Sequence, residues 1–217
     1  MGIFWINEGE RYRLAFAYAN IDYLQWVQDR GAHWSEEIDE YVKDEVSLSE
    51  VQIRAEQGET YYQFVLGVYY MRLSRYMDAY KEKHDEGMKL LMKAADKGSN
   101  KAMYAIASFY CLDGNKKLAF SWYLKAAQAG HVDAMYMVGF HYKYGRYEMV
   151  EENAREGFHW LCEAAKAGSL VAHSTAGAVL FEVGQFKEAK EALQTVEARG
   201  WTNATALLQK LPTLFKI

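Results

Sequence analysis

Small and apolar residues recur at fixed distances behind five glycines along this chain: Gly58, Gly98, Gly130, Gly168 and Gly200. The glycines are separated by 40, 32, 38 and 32 residues. Four residues after each stands Tyr62, Ala102, Ala134, Ala172 or Ala204; nine after the first four stands Gly67, Ala107, Gly139 or Gly177; twelve after stands Tyr70, Tyr110, Tyr142 or Leu180. At 100° per residue these offsets fall within about 140° of one another on a helix. Each unit therefore opens with a helix A whose apolar face carries a tiny residue in its middle, where a neighbouring helix crosses closely. A second glycine, Gly114, Gly145 or Gly184, ends helix A in three copies. Helix B follows and ends at the next seam glycine, so that "WYLKAAQAG" at 122–130 returns as "WLCEAAKAG" at 160–168. Glycine at a helix end supplies the left-handed residue of a C-cap, and the paired alanines before it favour helix and admit the next hairpin. The pattern predicts an all-α chain of about a dozen helices in antiparallel pairs, without a sheet. Glycine inside a helix is unfavourable by about 1 kcal/mol, so Gly139 and Gly177 mark close crossings.

The ends of the chain do not repeat. Residues 1–46 read as a helical N-terminal cap: "EGERYRLAFAYANIDYLQWVQDRG" suits a helix ending at Gly31, and "WSEEIDEYVKDE" a second one with Ser35 as N-cap. Ser47 with Glu50 forms a capping box for "LSEVQIRAEQ". Residues 47–200 hold about four repeats, and 201–217 read as a C-terminal capping helix and tail, because the end of a stack must cover its open face.

The segment "KAADKGSNKAMYAIASFYCLDG…WYLKAAQAGHVDAMYMVGFHYKYG…WLCEAAKAGSLVAHSTAGAVLFEVG" resembles the Sel-one-like repeat, a relative of the tetratricopeptide repeat. The resemblance covers roughly residues 48–210. It implies a right-handed α/α-solenoid used mainly to bind other proteins, with the A helices lining its concave face. The first copy departs from the pattern with Tyr62 in place of alanine and the insertion "RLSRYMDAYKEKHDEG"; the fourth departs with Leu180 and Ala192.

Composition narrows the picture further. The 217 residues are 51% hydrophobic and 15% aromatic, too apolar for disorder, and the lone Pro212 leaves long helices uninterrupted. The net charge of −4 is uneven: residues 1–58 hold 12 acids against 5 bases, the rest 17 against 20. An acidic N-terminal third repels phosphates and argues against nucleic acid as a partner. The start "MGIFWINEGER" lacks a signal-peptide core, and no run of about 20 apolar residues spans a membrane. Cys111 and Cys162 fit no metal or redox spacing, and the expected setting is a reducing cytoplasm.

Motifs that carry chemistry are missing from the sequence. No serine has a lysine three residues on, the nucleophile motif sought because some members of the resembled family are linked to β-lactamase-like activity, and no HExxH, phosphate loop or CxxC occurs. His159 and Glu163 share i, i+4 spacing but no third ligand joins them, and His141 reads as a packing residue. No catalytic residue, metal or cofactor is expected. The chemistry that stands out is an aromatic stripe at the offsets pointing away from the packed face. It runs through Tyr61, Phe64, Val68 and Arg72, then Lys101, Tyr104, Ser108 and Leu112, then Asp133, Tyr136, Phe140 and Tyr144, and fades at Val171, Ser174, Ala178 and Glu182. Aromatic and arginine side chains on rigid helices are enriched at binding hot spots. The candidate partner-binding residues are thus Tyr61, Phe64, Arg72, Tyr104, Tyr136, Phe140 and Tyr144, with Glu36, Glu37, Asp39 and Glu40 as a secondary acidic patch. Tight winding would instead turn the stripe into a seam between repeats. The expected function is non-enzymatic protein binding, narrowed to an immunity or antitoxin-type protein that blocks a toxin; an adaptor in signalling or secretion is the alternative, and a hydrolase the remote one.

Overall fold

The structure, a computed structural model, describes residues 38, 41–42, 45–76, 81–144, 153–200 and 208. The two ends expected as caps fall almost wholly outside them. Among the described residues the regular elements are nine α-helices and no strand: α1 (Glu45–Glu56), α2 (Thr60–Tyr76), α3 (Lys83–Asp96), α4 (Asn100–Leu112), α5 (Lys116–Gln128), α6 (Val132–Tyr144), α7 (Ala154–Lys166), α8 (Leu170–Glu182) and α9 (Phe186–Glu197). Helices A are α2, α4, α6 and α8; their B partners are α3, α5, α7 and α9. The described residues divide into two compact units, one ending at Met135 and the other starting at Tyr136. In the first, α1 packs on α2, α2 on α3, α3 on α4 and α4 on α5; in the second, α7 packs on α8 and α8 on α9.

The seam glycines do what their spacing predicts. Gly58, Gly98, Gly130, Gly168 and Gly200 all adopt positive φ, between 83° and 96°. At the end of α3 the Gly98 N–H donates to the Ala95 carbonyl and the Ser99 N–H to the Ala94 carbonyl. The same two bonds close α5 onto Ala127 and Ala126, and α7 onto Ala165 and Ala164. This is the Schellman arrangement, and it uses the carbonyls of the repeated alanine pairs. The residue that follows then opens the next helix: the hydroxyls of Ser99 and Ser169 accept the N–H of Ala102 and Ala172, while Asn115 and Asn153 cap α5 and α7. Ser99→Ala and Ser169→Ala are each expected to cost about 1 kcal/mol, read as a shift of the urea midpoint at constant slope.

Three of the A helices, α2, α6 and α8, cross their B helices at points where a glycine leaves no room for an added side chain. A Cβ on Gly67 would lie 2.8 Å from Leu91 Cγ and 3.0 Å from the Gly87 carbonyl, and one on Gly87 would lie 3.0 Å from the Gly67 carbonyl. Gly139 faces Gly157 and Leu161 in the same way at 2.9 Å, and Gly177 faces Leu193 at 2.9 Å. The partners on the B side, Gly87, Ala119, Gly157 and Ala189, stand eleven residues before each seam glycine. The cores lie around these crossings. Phe64, Val65, Met71, Leu91 and Ile106 fill the first unit with Ile38, and Phe181, Leu193 and Val196 cluster in the second. Across the second unit the Lys143 ammonium reaches Glu182 at 2.8 Å, with both side chains largely buried. Removing one partner of such a pair strands a charge. Glu182→Leu is therefore expected to destabilise by about 3 kcal/mol, measured by chemical denaturation.

Candidate functional site

The sequence leaves the aromatic stripe of the A helices open between a groove and a seam between repeats, and its burial favours the seam. Phe64 and Tyr104 are 3% and 4% exposed, Tyr136 and Phe140 are fully buried, and Tyr144 is buried as well. Of the seven candidate binding residues, only Tyr61 and Arg72 keep partial exposure. In the first unit neighbouring elements close over the stripe. Tyr41 stands edge-on against Tyr61 with ring centroids 5.3 Å apart, and the Lys101 ammonium from the next A helix sits 5.6 Å from the Tyr61 ring centre and 5.9 Å from that of Phe64. The Tyr104 ring stacks on His131 at 4.3 Å with planes 9° apart and tilts against Tyr123 at 5.5 Å. On α6 the rings of Tyr136, Phe140 and Tyr144 form a ladder along the helix, with centroids 6.0 and 5.0 Å apart. His141 is buried beside Phe140, as a packing residue would be. Glu36, Glu37, Asp39 and Glu40 lie outside the described residues.

The physical reason is that burial on an A helix reaches residues of both sets of offsets. On α8 nine residues are buried, Val171 and Ser174 from the outward set as well as Ala172 and Gly177 from the inward set. A helix buried all round shows no clean polar face. The B helices behave otherwise. Burial on α3 is confined to Gly87, Leu91, Ala94 and Ala95, on α5 to Ala119, Tyr123, Ala126 and Ala127, and on α9 to Ala189, Leu193 and Val196. Between these positions the B helices expose charged and polar side chains. The accessible helical surface therefore belongs largely to B helices.

Several charged groups on the described helices are paired locally. Lys166 donates to Glu163 at 2.6 Å and holds that carboxylate below its ordinary pKa, so Glu163 faces a lysine rather than joining His159 in a ligand pair. Arg54 does the same to Glu59 at 2.6 Å and also donates to the Tyr62 hydroxyl. Burial pushes the Cys162 thiol up, away from the thiolate form a nucleophile needs. Among the described residues no three histidines, cysteines or carboxylates gather as a metal site would require, and no helix is long and apolar enough to cross a membrane.

Sequential helix pairs, glycine crossings and Schellman ends repeated at a period of 32–40 residues define an α/α-repeat protein. The chain belongs to the Sel1 repeat family: the family model matches residues 60–99, 100–131 and 132–169, three consecutive copies that together span about half of the chain. The fourth pair, α8 and α9, repeats the geometry beyond the matched copies. Solved structures with this fold include a Sel1 repeat protein from Oxalobacter formigenes, 23% identical, with a TM-score of 0.64 over 76% of this chain and 48% of that one. Another is a protective antigen of uropathogenic Escherichia coli with an SLR fold, 20% identical, with a TM-score of 0.52 over 93% of this chain and 56% of that one. The chain thus spans about half the length of the solved structures it matches. Comparison with curated proteins gives no match.

Proposed function

We propose that this chain is a non-catalytic binding module that holds a protein partner on its solenoid surface. Sel1 repeats generally mediate protein–protein interaction, and the observation that carries the reading is the run of three consecutive copies over residues 60–169. A stack of short hairpins fixes the relative positions of exposed side chains over a long surface, which suits recognition of another macromolecule. In its narrower form the partner is a toxin or effector that the module neutralises in the cytoplasm, with residues 1–46 and 201–217 as caps of the stack. The adaptor role uses the same surface to join two partners instead.

Affinity capture with the tagged full-length chain, followed by titration of the purified partner in a calorimeter, tests the module. The expected result is a saturable one-to-one complex. A chain that retains no protein, or that turns over an ester or lactam substrate, overturns it. Coproduction of the captured partner with and without the chain separates the two narrower roles, because a neutraliser restores growth that the partner alone arrests.

A further inference from the structure

Among the described B helices, α5 is the one whose charge is uncompensated. Its sequence KKLAFSWYLKAAQ holds three lysines and no acid. In α3 and α7 lysines pair with Glu86 and Glu163, and α9 interleaves Lys187 and Lys190 with Glu188 and Glu191. Over residues 97–132 five lysines meet one carboxylate, Asp113, and that group is bound to Arg75 at 2.7 Å. Lys116, Lys117 and Lys125 are all exposed, and no carboxylate pairs with them among the described residues. Lys117, Ser121, Lys125 and Gln128 fall on successive turns, an exposed stripe about 17 Å long. Beside it Leu118 is 40% exposed, and Trp122, half-buried over the core, carries the Lys125 ammonium 4.1 Å above its ring.

We infer that the outer face of α5 docks an acidic amphipathic helix of a protein partner, with its apolar side on Leu118 and Trp122 and its carboxylates on Lys116, Lys117 and Lys125. The inference rests on the protein-binding reading and supplies the chemistry of the partner. Tryptophan at the centre of a polar rim is the residue type that most often anchors an interface. Lysines without a carboxylate partner steer and orient an oppositely charged surface. Three lysines fall short of the four to eight clustered basic residues that anionic membranes recruit. The 12 acids of residues 1–58 oppose a nucleic acid held along the chain. An acidic helix with a leucine seam meets both the charge and the apolar pair.

Titration of a fluorescein-labelled designed helix of about 18 residues, with leucines on one face and glutamates flanking them, tests this by anisotropy on the full chain. Binding is expected, weakening from about 50 to about 300 mM NaCl. It should fall about tenfold or more in K116E/K117E/K125E, in Leu118→Ser, and when serine replaces the peptide's leucines. Because these side chains are exposed, the variants should melt with the wild type, which circular dichroism verifies. A change of less than about twofold on charge reversal overturns the inference, and so does a peptide that does not bind. Tighter titration of phosphatidylserine vesicles or of a DNA duplex reassigns the face to those ligands. Self-association abolished by the charge reversal assigns it to the acidic third of a second copy. The partner from affinity capture separates the two levels. If K116E/K117E/K125E still binds it fully, the α5 assignment falls and the module stands; if the wild type retains no partner, the module reading falls with it.

Discussion

Gly157→Ala is expected to lower the melting temperature, although alanine is the better helix former. The gain in helix propensity is about 1 kcal/mol. Against it, the added Cβ would lie 2.6 Å from the Lys143 backbone nitrogen and 2.8 Å from Lys143 Cα and Cβ. Those atoms belong to the rail of α6, not to the end of a flexible side chain, so α6 and α7 must separate to admit the methyl group. Overpacking of this kind costs about 1–3 kcal/mol and occasionally more. Moving Lys143 also pulls its ammonium from Glu182. The expected net loss is about 2 kcal/mol, a fall of about 4–8 °C for a chain of this size. Gly157→Leu and Gly139→Leu should lose more, and Gly139 meets the same wall from the other side, 2.9 Å from Leu161 and the Gly157 carbonyl. Gly168→Ala is the control. Its φ of +96° penalises any side chain by about 1–2 kcal/mol, but nothing stands within 4 Å of the added carbon. Asparagine at 168 should therefore recover part of the loss, while at 157 it should not. A Gly157→Ala protein that melts above the wild type would show that the two helices do not cross at this point.

The repeat was legible because its signals are local. A seam glycine that needs positive φ, an alanine pair whose carbonyls close the helix and a serine that caps the next one all lie within a few residues, so sequence offsets capture them. The crossings were half legible. Gly67, Gly139 and Gly177 stand out inside helix A, yet their counterparts Gly87 and Gly157 lie eleven residues before the seam glycine, where a reading anchored only on residues after it does not look. The aromatic stripe stayed open between groove and seam for a different reason. Amphipathic analysis assumes one buried side, whereas α8 buries residues of both sets and Tyr104 is covered by His131 at the next seam. No periodicity within one helix reports a neighbour contributed 27 residues later. The Lys143–Glu182 pair, 39 residues apart, has no local signature either. The lysines of α5 were visible throughout, but a net charge summed over the whole C-terminal region diluted them.

Tyr136→Ala and Phe140→Ala should be the most damaging side-chain truncations on the A helices. Both residues are fully buried, and each ring packs against the next along α6. Removing a buried aromatic ring costs about 3–5 kcal/mol, a large share of the 5–15 kcal/mol that typically holds a domain together. The melting temperature should fall by about 10 °C or more, and Phe140→Leu, which keeps most of the volume, should cost under about 1.5 kcal/mol. Tyr61→Ala should be milder, because Tyr61 is half-buried and touches Tyr41 and Tyr62 only edge-on. Partner capture then separates stability from contact. With Tyr136→Ala, capture should fail only near the temperature at which the variant unfolds, and return on cooling. With K116E/K117E/K125E it should fail at every temperature while the melt stays that of the wild type. A Tyr136→Ala chain that melts normally and still loses its partner would return the binding surface to the A helices.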